Sequence, residues 1–147
     1  MEKKQAIQYS ASVSAVQEYP FDTFRIGETL YNLEVVRTCA SALPVVQVEL
    51  NQLRGAVSEG QCYWQDRDGE FFGPFELLQD WVAAKHNPLW HSHVEIIERA
   101  DLTDPLFITK EGIVFDGMHR LTRAFLEKKQ RINAAIFDAL PDKAIVR

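Results

Sequence analysis

A strand pattern runs directly into a helical pattern at residues 113–121, and this junction constrains the fold more than any other stretch. Residues 113–115 are β-branched or aromatic, which favours a strand. The dipeptide Asp116-Gly117 then indicates a turn, and apolar residues at helical spacing follow it. We therefore predict a strand that ends at this turn and a helix over residues 118–129.

The start of this helix has the composition of an anion site. The first backbone N–H groups of a helix lack intrahelical acceptors, and the helix dipole makes this end positive. Gly117 would let a ligand approach the backbone. Arg120 offers a planar fork of donors that suits phosphate oxygens, and His119 can donate a hydrogen bond or carry a proton near neutral pH. These residues predict a pocket for a phosphate or carboxylate in a partly exposed turn, with Arg120 on the helix surface.

The same residues also fit an ordinary turn that binds nothing. Asp116 would then be the helix N-cap, and Arg120 would pair with Asp116, Asp101 or Asp104. A carboxylate at this position also competes with a bound anion, because the helix start stabilises it. In a kinase-like site, Asp116 would instead accept a proton or help to hold magnesium. The sequence leaves these roles open.

The order of elements around the junction predicts an α+β fold. We expect a hairpin from residues 106–109 and 113–115, then the helix at 118–129 and a last strand at 132–137. A hairpin, a helix and a strand in this order suit a small mixed β-sheet packed by helices. The turn would lie at the end of a strand, where ligands often bind in such sheets.

The run Asp116-Gly117-Met118-His119-Arg120, with its hairpin before and its Ile-rich strand after, resembles the core of the ParB/sulfiredoxin-like superfamily. The resemblance is best over residues 105–137 and weaker over residues 43–53. It implies one domain, residues 1–147, with a ParB/sulfiredoxin-like core into which residues 54–104 are inserted as an extra helical and aromatic segment. It also implies that the turn binds nucleotide phosphates. Members of the superfamily hydrolyse CTP while loading on DNA, reduce an oxidised cysteine or phosphorylate free serine.

Carried over residue by residue, the resemblance makes Asp116, Gly117, Met118, His119 and Arg120 the ligand-binding residues. The implied ligand is a nucleotide, such as ATP, ADP or CTP with Mg²⁺, or another phosphorylated metabolite. Asp116 and His119 are the candidate catalytic residues for phosphotransfer or hydrolysis. Met118 stands where sulfiredoxins carry their reactive cysteine, and a thioether cannot become a thiolate nucleophile. The resemblance therefore does not extend to sulfiredoxin activity.

An alternative is a non-catalytic regulatory or protein-interaction domain that keeps the fold. Aromatic residues crowd into residues 63–90, and this density is typical of core packing. They could instead form an exposed platform for a partner protein or a flat ligand. The residues concerned are Tyr63, Trp64, Phe71, Phe72, Phe75, Trp81 and Trp90.

Composition and charge argue against several other classes. A chain of 147 residues, 46% of them hydrophobic, can form a core without disulfides or metals. The net charge of −5, and the short stretch after the motif with no helix-turn-helix, argue against duplex DNA as a partner of this chain. No apolar stretch is long enough for a membrane span or a signal peptide. We expect a cytoplasmic protein without a membrane partner, in which Cys39 and Cys62 are reduced thiols.

Histidines cluster at His86, His91 and His93, which raises the question of zinc. Ser92 and Glu95 fit a capping box ahead of a helix, and that would splay the two flanking histidines apart. No third ligand stands at a recognisable spacing. We predict no metal site and expect these histidines at the surface or at an interface.

Periodicity and chain breakers predict the remaining elements. In chain order we expect a polar, flexible arm at 1–24, an amphipathic helix at 27–42, a strand at 45–50, a short helix at 51–59, a hairpin around 66–69, a helix from Gly73-Pro74 to Asn87-Pro88, and a tail from Pro141.

Overall fold

A computed structural model of the chain describes residues 19–147. The strands in this part of the chain are β1 (Thr23–Ile26), β2 (Thr29–Asn32), β3 (Val46–Glu49), β4 (Trp64–Gln65), β5 (Phe71–Phe72), β6 (Leu106–Thr109), β7 (Val114–Asp116) and β8 (Arg131–Phe137). The α-helices are α1 (Leu33–Ala40), α2 (Pro74–Gln79), α3 (Trp81–Lys85), α4 (His91–Arg99) and α5 (Met118–Leu126). Short 3-10 helices cover Leu50–Val57, Pro88–Trp90 and Asp142–Ala144.

The central sheet has the strand order β3-β8-β6-β7. β8 runs antiparallel to β3 on one side and parallel to β6 on the other. β6 and β7 form the hairpin that the sequence predicts, and α5 then connects β7 to β8. The fold is therefore α+β, a small mixed sheet packed by helices, as predicted.

Both faces of this sheet are buried, and alternate residues of β8 point to different sides. Ile132 packs in a cluster with Leu121 of α5 and with the 3-10 helix Leu50–Val57. Phe137 packs in a second cluster with Phe24 of β1 and with α1. These two clusters hold β7, α5 and the turn between them in a fixed position.

A third apolar cluster forms between the β4–β5 hairpin and the helices α2 to α4, and it packs against α5 through Met118 and Leu126. Its buried members include Trp64, Phe72 and Leu77. Of the seven aromatic residues of this segment, Phe71 alone is exposed, at 61%. The interpretation of these residues as mostly core is confirmed.

The predicted helix at residues 27–42 is wrong in its first half. β1 and β2 form a hairpin around Gly27, which adopts a left-handed φ of 61°, and α1 begins only at Leu33. Leu30 of the hairpin and Leu33 of the helix are both buried, although they belong to different elements. Buried residues of two successive elements therefore produced a spacing that resembles a single helix.

The two ends of the described chain are more ordered than the sequence suggests. β1 begins at Thr23, and Phe24 is 1% exposed, so the predicted arm at 1–24 does not reach residue 24. Residues 1–18 of that arm lie outside the described residues. The predicted tail from Pro141 is wrong, because Ile145 forms a β-bridge with Tyr31.

Three helix predictions need correction at their ends. The Asp80 side chain accepts the N–H of Ala83, and this cap divides the predicted long helix into α2 and α3. The predicted capping box at Ser92 is wrong, because the 3-10 helix Pro88–Trp90 runs straight into α4, which begins at His91. The short helix predicted at 51–59 is the 3-10 helix Leu50–Val57. The hairpin predicted around residues 66–69 is present as β4 and β5.

Cys39 and Cys62 are both free. Within residues 19–147, no helix combines the length and the apolar composition that a membrane crossing requires.

The N-cap of α1 can be tested by substitution. The Oδ1 atom of Asn32 accepts the N–H groups of Glu34 at 2.9 Å and Val35 at 3.3 Å. We expect Asn32→Ala to lower the free energy of unfolding by about 1 kcal/mol, the usual effect of losing such a cap. Urea unfolding measures this change, with the exposed Gln52→Ala as a control that should be neutral. Equal stability of both variants and the wild type would contradict the prediction.

Candidate functional site

The predicted turn joins the end of β7 to the start of α5. Gly117 adopts a left-handed φ of 103°, and α5 begins at Met118, as predicted. No side chain caps the helix, and its first hydrogen bond runs from the N–H of Leu121 to the carbonyl of Gly117. The N–H groups of Met118, His119 and Arg120 are therefore without intrahelical acceptors, and the alternative in which Asp116 caps the helix is wrong.

Gly117 is needed for packing as well as for its backbone conformation. A Cβ atom there would lie 2.6 Å from Cδ2 of Leu106, and 3.0 and 3.2 Å from Nη2 and Nε of Arg120. The guanidinium of Arg120 thus folds back over Gly117, in the space that we expected a ligand to use. Because Gly117 has no side chain, the guanidinium of Arg120 can lie close to the backbone there.

Arg120 is held on two sides. Its Nη2 donates to the carbonyl of Pro105 at 3.2 Å and lies 4.0 Å from Oδ2 of Asp116. Its side chain is 23% exposed, so the expectation of a surface residue is wrong. Nε is buried and has no hydrogen-bond partner among the described residues. The fold therefore holds the guanidinium in position but does not satisfy all of its hydrogen-bond donors.

Neither Asp101 nor Asp104 forms the ion pair with Arg120 that the sequence left open, within the described residues. Hydrogen bonds from Thr103 hold the pKa of Asp101 below its usual value, and the charge of Arg120 adds to this effect. Asp101 therefore lies near Arg120, but its carboxylate accepts its hydrogen bonds from Thr103 in the same turn.

Asp116 is bound mainly by an arginine from elsewhere in the chain. The Nε and Nη2 atoms of Arg37 lie 3.3 and 3.4 Å from the two carboxylate oxygens of Asp116. Arg37 also lies 3.5 Å from Asp22, so it bridges β7 to the start of the described chain. Because Arg37 compensates its charge, Asp116 repels an anion at the turn less than the sequence implied. Nothing in the local sequence singles out Arg37, which is 79 residues away.

His119 stacks within an aromatic column. Its ring lies 4.5 Å from that of Trp64, with an angle of 8° between the planes, and 5.3 Å from the ring of His93. The Nε2 atom of His119 is 3.0 Å from Nδ1 of His93, whose Nε2 is 3.2 Å from the carbonyl of Gln65. His93 was expected at the surface or an interface, and it is instead half-buried beside the candidate site.

These contacts assign the protons of both imidazoles. The Gln65 carbonyl can only accept, so His93 carries its proton on Nε2 and accepts at Nδ1. His119 must then donate from Nε2, which leaves its Nδ1 as an acceptor. Burial, followed by the charges of His93 and Arg120, lowers the pKa of His119 to about 4. His119 is therefore neutral at pH 7, and of the two roles that the sequence left open it donates a hydrogen bond and does not carry an extra proton.

The turn separates two cavities. One, of about 330 Å³, lies between the turn and the end of α4, where it is lined by Arg120, His119 and Arg99. The other, of about 200 Å³, lies toward β1 and is lined by Phe24, Trp64 and other apolar side chains. Asp116, Gly117 and His119 line both. The polar side of the turn thus faces the larger of the two.

Met118 has a packing role, unlike its neighbours in the turn. Its side chain packs against both the cluster of the central sheet and the cluster of the aromatic segment. Met118 lines the smaller cavity but not the larger one.

The remaining histidines lie apart from the turn. His91 lies at the surface, 2.9 Å from Glu95 of the same helix. Among residues 19–147, no three His, Cys, Asp or Glu side chains are grouped as a metal ion would require.

No family model, no curated protein and no solved structure matches the chain. The chemistry of the site therefore has to be argued from its own geometry.

The packing role of Gly117 predicts a large effect of an added methyl group. We expect Gly117→Ala to lower the free energy of unfolding by about 2 kcal/mol or more, from the left-handed φ and the contact with Leu106 together. The matched control is Gly112→Ala, since Gly112 has a φ of +93° but nothing within 4 Å of the added atom. Its loss should be about 1 kcal/mol. Equal losses in urea unfolding would mean that the contact has no effect.

The burial of neutral His119 predicts an acid-sensitive stability. Its folded pKa of about 4 lies below the ordinary histidine pKa of 6.5, so the unfolded chain binds the proton first as the pH falls. Stability should decline from about pH 6.5 to 4, by on the order of 3 kcal/mol for this group.

Unfolding by urea at several pH values measures the decline, and His119→Gln should flatten it. His91→Gln is the control, because His91 lies at the surface with Glu95. A profile that is unchanged in His119→Gln would assign the pH dependence to other groups.

Proposed function

We propose that the turn from Asp116 to Arg120 binds the phosphate of a nucleotide or of another phosphorylated metabolite. The observation that carries the proposal is the meeting of an uncapped helix start and a partly exposed arginine side chain at one cavity. Backbone N–H groups and a guanidinium are the donors that phosphate oxygens prefer. The volume of about 330 Å³ is within the range of small-molecule sites.

The charges around this cavity fit a phosphate that carries a cation. Arg99, Arg120, Asp101 and Asp116 all line it. The two arginines can hold the phosphate, and Mg²⁺ bound to ATP, ADP or CTP would be attracted by the carboxylate of Asp101. We therefore expect Mg²⁺ to strengthen the binding of these nucleotides.

Of the two candidate catalytic residues, His119 is the better placed for phosphotransfer or hydrolysis. His119 lines the cavity and its Nδ1 is an acceptor on a neutral ring, whereas both oxygens of Asp116 are already bonded by Arg37. A neutral imidazole can accept a proton from a hydroxyl group or a water molecule. A catalytic step is thus an extension of the binding proposal and requires it.

The sequence resemblance to the ParB/sulfiredoxin-like superfamily supports the same location, since it implies nucleotide binding at the run Asp116-Gly117-Met118-His119-Arg120. The alternative, a non-catalytic interaction domain, has less support. It needs an aromatic surface, and six of the seven aromatic residues of that segment are buried or partly buried.

Calorimetric titration with ATP, ADP and CTP, each with and without Mg²⁺, tests the proposal. We expect Arg120→Ala to weaken binding by roughly 10- to 150-fold, the usual loss of about 1.5–3 kcal/mol for a charged hydrogen bond. Because Arg120 also donates a hydrogen bond to the carbonyl of Pro105, urea unfolding must show that the variant is folded at the temperature of the titration.

The matched control is Arg67→Ala, which removes the same charge from the exposed β4–β5 loop. Its affinity should equal that of the wild type. If no nucleotide releases or absorbs heat with the wild type, the phosphate proposal is wrong and the interaction domain becomes the better account.

A further inference from the structure

A second and larger cavity adjoins the proposed phosphate site. Its volume is about 650 Å³, and its walls come from the connection between α4 and β6, the end of α5 and the strands β3 and β8. It shares Arg99, Ala100 and Asp101 with the cavity at the turn. The two cavities are therefore neighbours with a shared wall.

Positive charge dominates this second cavity, although the whole chain has a net charge of −5. The lining has four cationic side chains against the carboxylates of Asp101 and Glu127. The cationic residues are Arg99, Arg123, Lys129 and Arg131. A basic cavity in an acidic chain indicates an anionic ligand.

The carboxylates compensate this charge unevenly. Glu127 lies 2.5 Å from Arg123 and 3.6 Å from Lys129, so one carboxylate serves two cations. Arg131 pairs with Glu49 at 3.0 Å. Arg99 is exposed and forms no ion pair with any described residue. The least compensated cation is therefore the one on the shared wall.

Two carboxamides stand side by side on the sheet at the far end of this cavity. Gln47 of β3 and Asn133 of β8 are direct partners in the antiparallel register, and both line the cavity. Asn133 uses one amide hydrogen on the carbonyl of Thr103, at 3.3 Å, and its carbonyl oxygen is left to accept. Paired donors and acceptors of this kind suit the edge of a nucleobase, adenine above all. No aromatic ring lines the cavity, so it offers no stacking surface.

We propose that the two cavities together bind a dinucleotide, or two successive nucleotides of a single-stranded oligonucleotide. One phosphate lies at the turn, the next lies beside Arg99 and the basic lining, and a base reaches Gln47 and Asn133. The inference rests on the proposed function for the first phosphate. Beyond the proposed function, the inference names the class of ligand: a compound with a phosphodiester bond and not a free mononucleotide.

A length series of 5′-phosphorylated deoxyadenylates tests this inference, with the monomer, the dimer and the tetramer titrated against the full chain. We expect the dimer to bind at least about tenfold more tightly than the monomer, because it adds charged hydrogen bonds. Arg99→Ala should remove this gain, because Arg99 lines both cavities and its loss weakens the binding of the dimer more than that of the monomer. It should also reduce the slope of log K against log salt for the dimer by about 0.7, the share of one single-strand phosphate contact.

Arg67→Ala is again the matched control, because it removes an exposed arginine from a loop that lines neither cavity. Equal affinities of the wild type for monomer and dimer would overturn the inference and leave the phosphate site intact. A gain with the dimer that survives in Arg99→Ala would overturn it as well. Inorganic pyrophosphate that binds as tightly as the dimer would exclude the role of the nucleoside. No binding of monomer or dimer would overturn the proposed function itself.

Discussion

The placement of β7 and β8 on opposite sides of β6 determines most of what surrounds the turn. β7 ends at the same end of the sheet where β8 begins, so the chain has to cross over β6 between them, and α5 makes this crossing. The helix must therefore start at the end of β7, within one residue of the strand. Gly117 makes that sharp change of direction possible through its left-handed backbone. The uncapped helix start is thus a product of the sheet topology.

Sequence reasoning described this region well because its signals are local. The hairpin, the turn, the start of α5 and the last strand all follow from neighbouring residues between 106 and 137. It described the N-terminal part poorly, since Leu30 and Leu33 are both buried but belong to different elements. A spacing of three residues does not reveal that a strand ends between them.

The contacts that define the chemistry of the site come from distant parts of the chain. Arg37 reaches Asp116 from α1, and Trp64 and His93 enclose His119 from the aromatic segment. Because of these partners, Asp116 is a carboxylate with a compensated charge and not a helix cap. His119 is likewise a neutral hydrogen-bond acceptor and not a charged imidazolium. The residue types at the turn were predictable, but their protonation and their free hydrogen-bonding positions depend on tertiary packing.

The stack of Trp64 on His119 joins the aromatic segment to the turn by a contact of 4.5 Å between ring centroids. An indole at this distance from an imidazole senses whether that ring is charged and whether it has moved. The emission of Trp64 is therefore an intrinsic optical reporter for the turn, placed there by the fold without any label. Exchanging Trp81 and Trp90 for phenylalanine would isolate its signal and allow events at the helix start to be followed in real time.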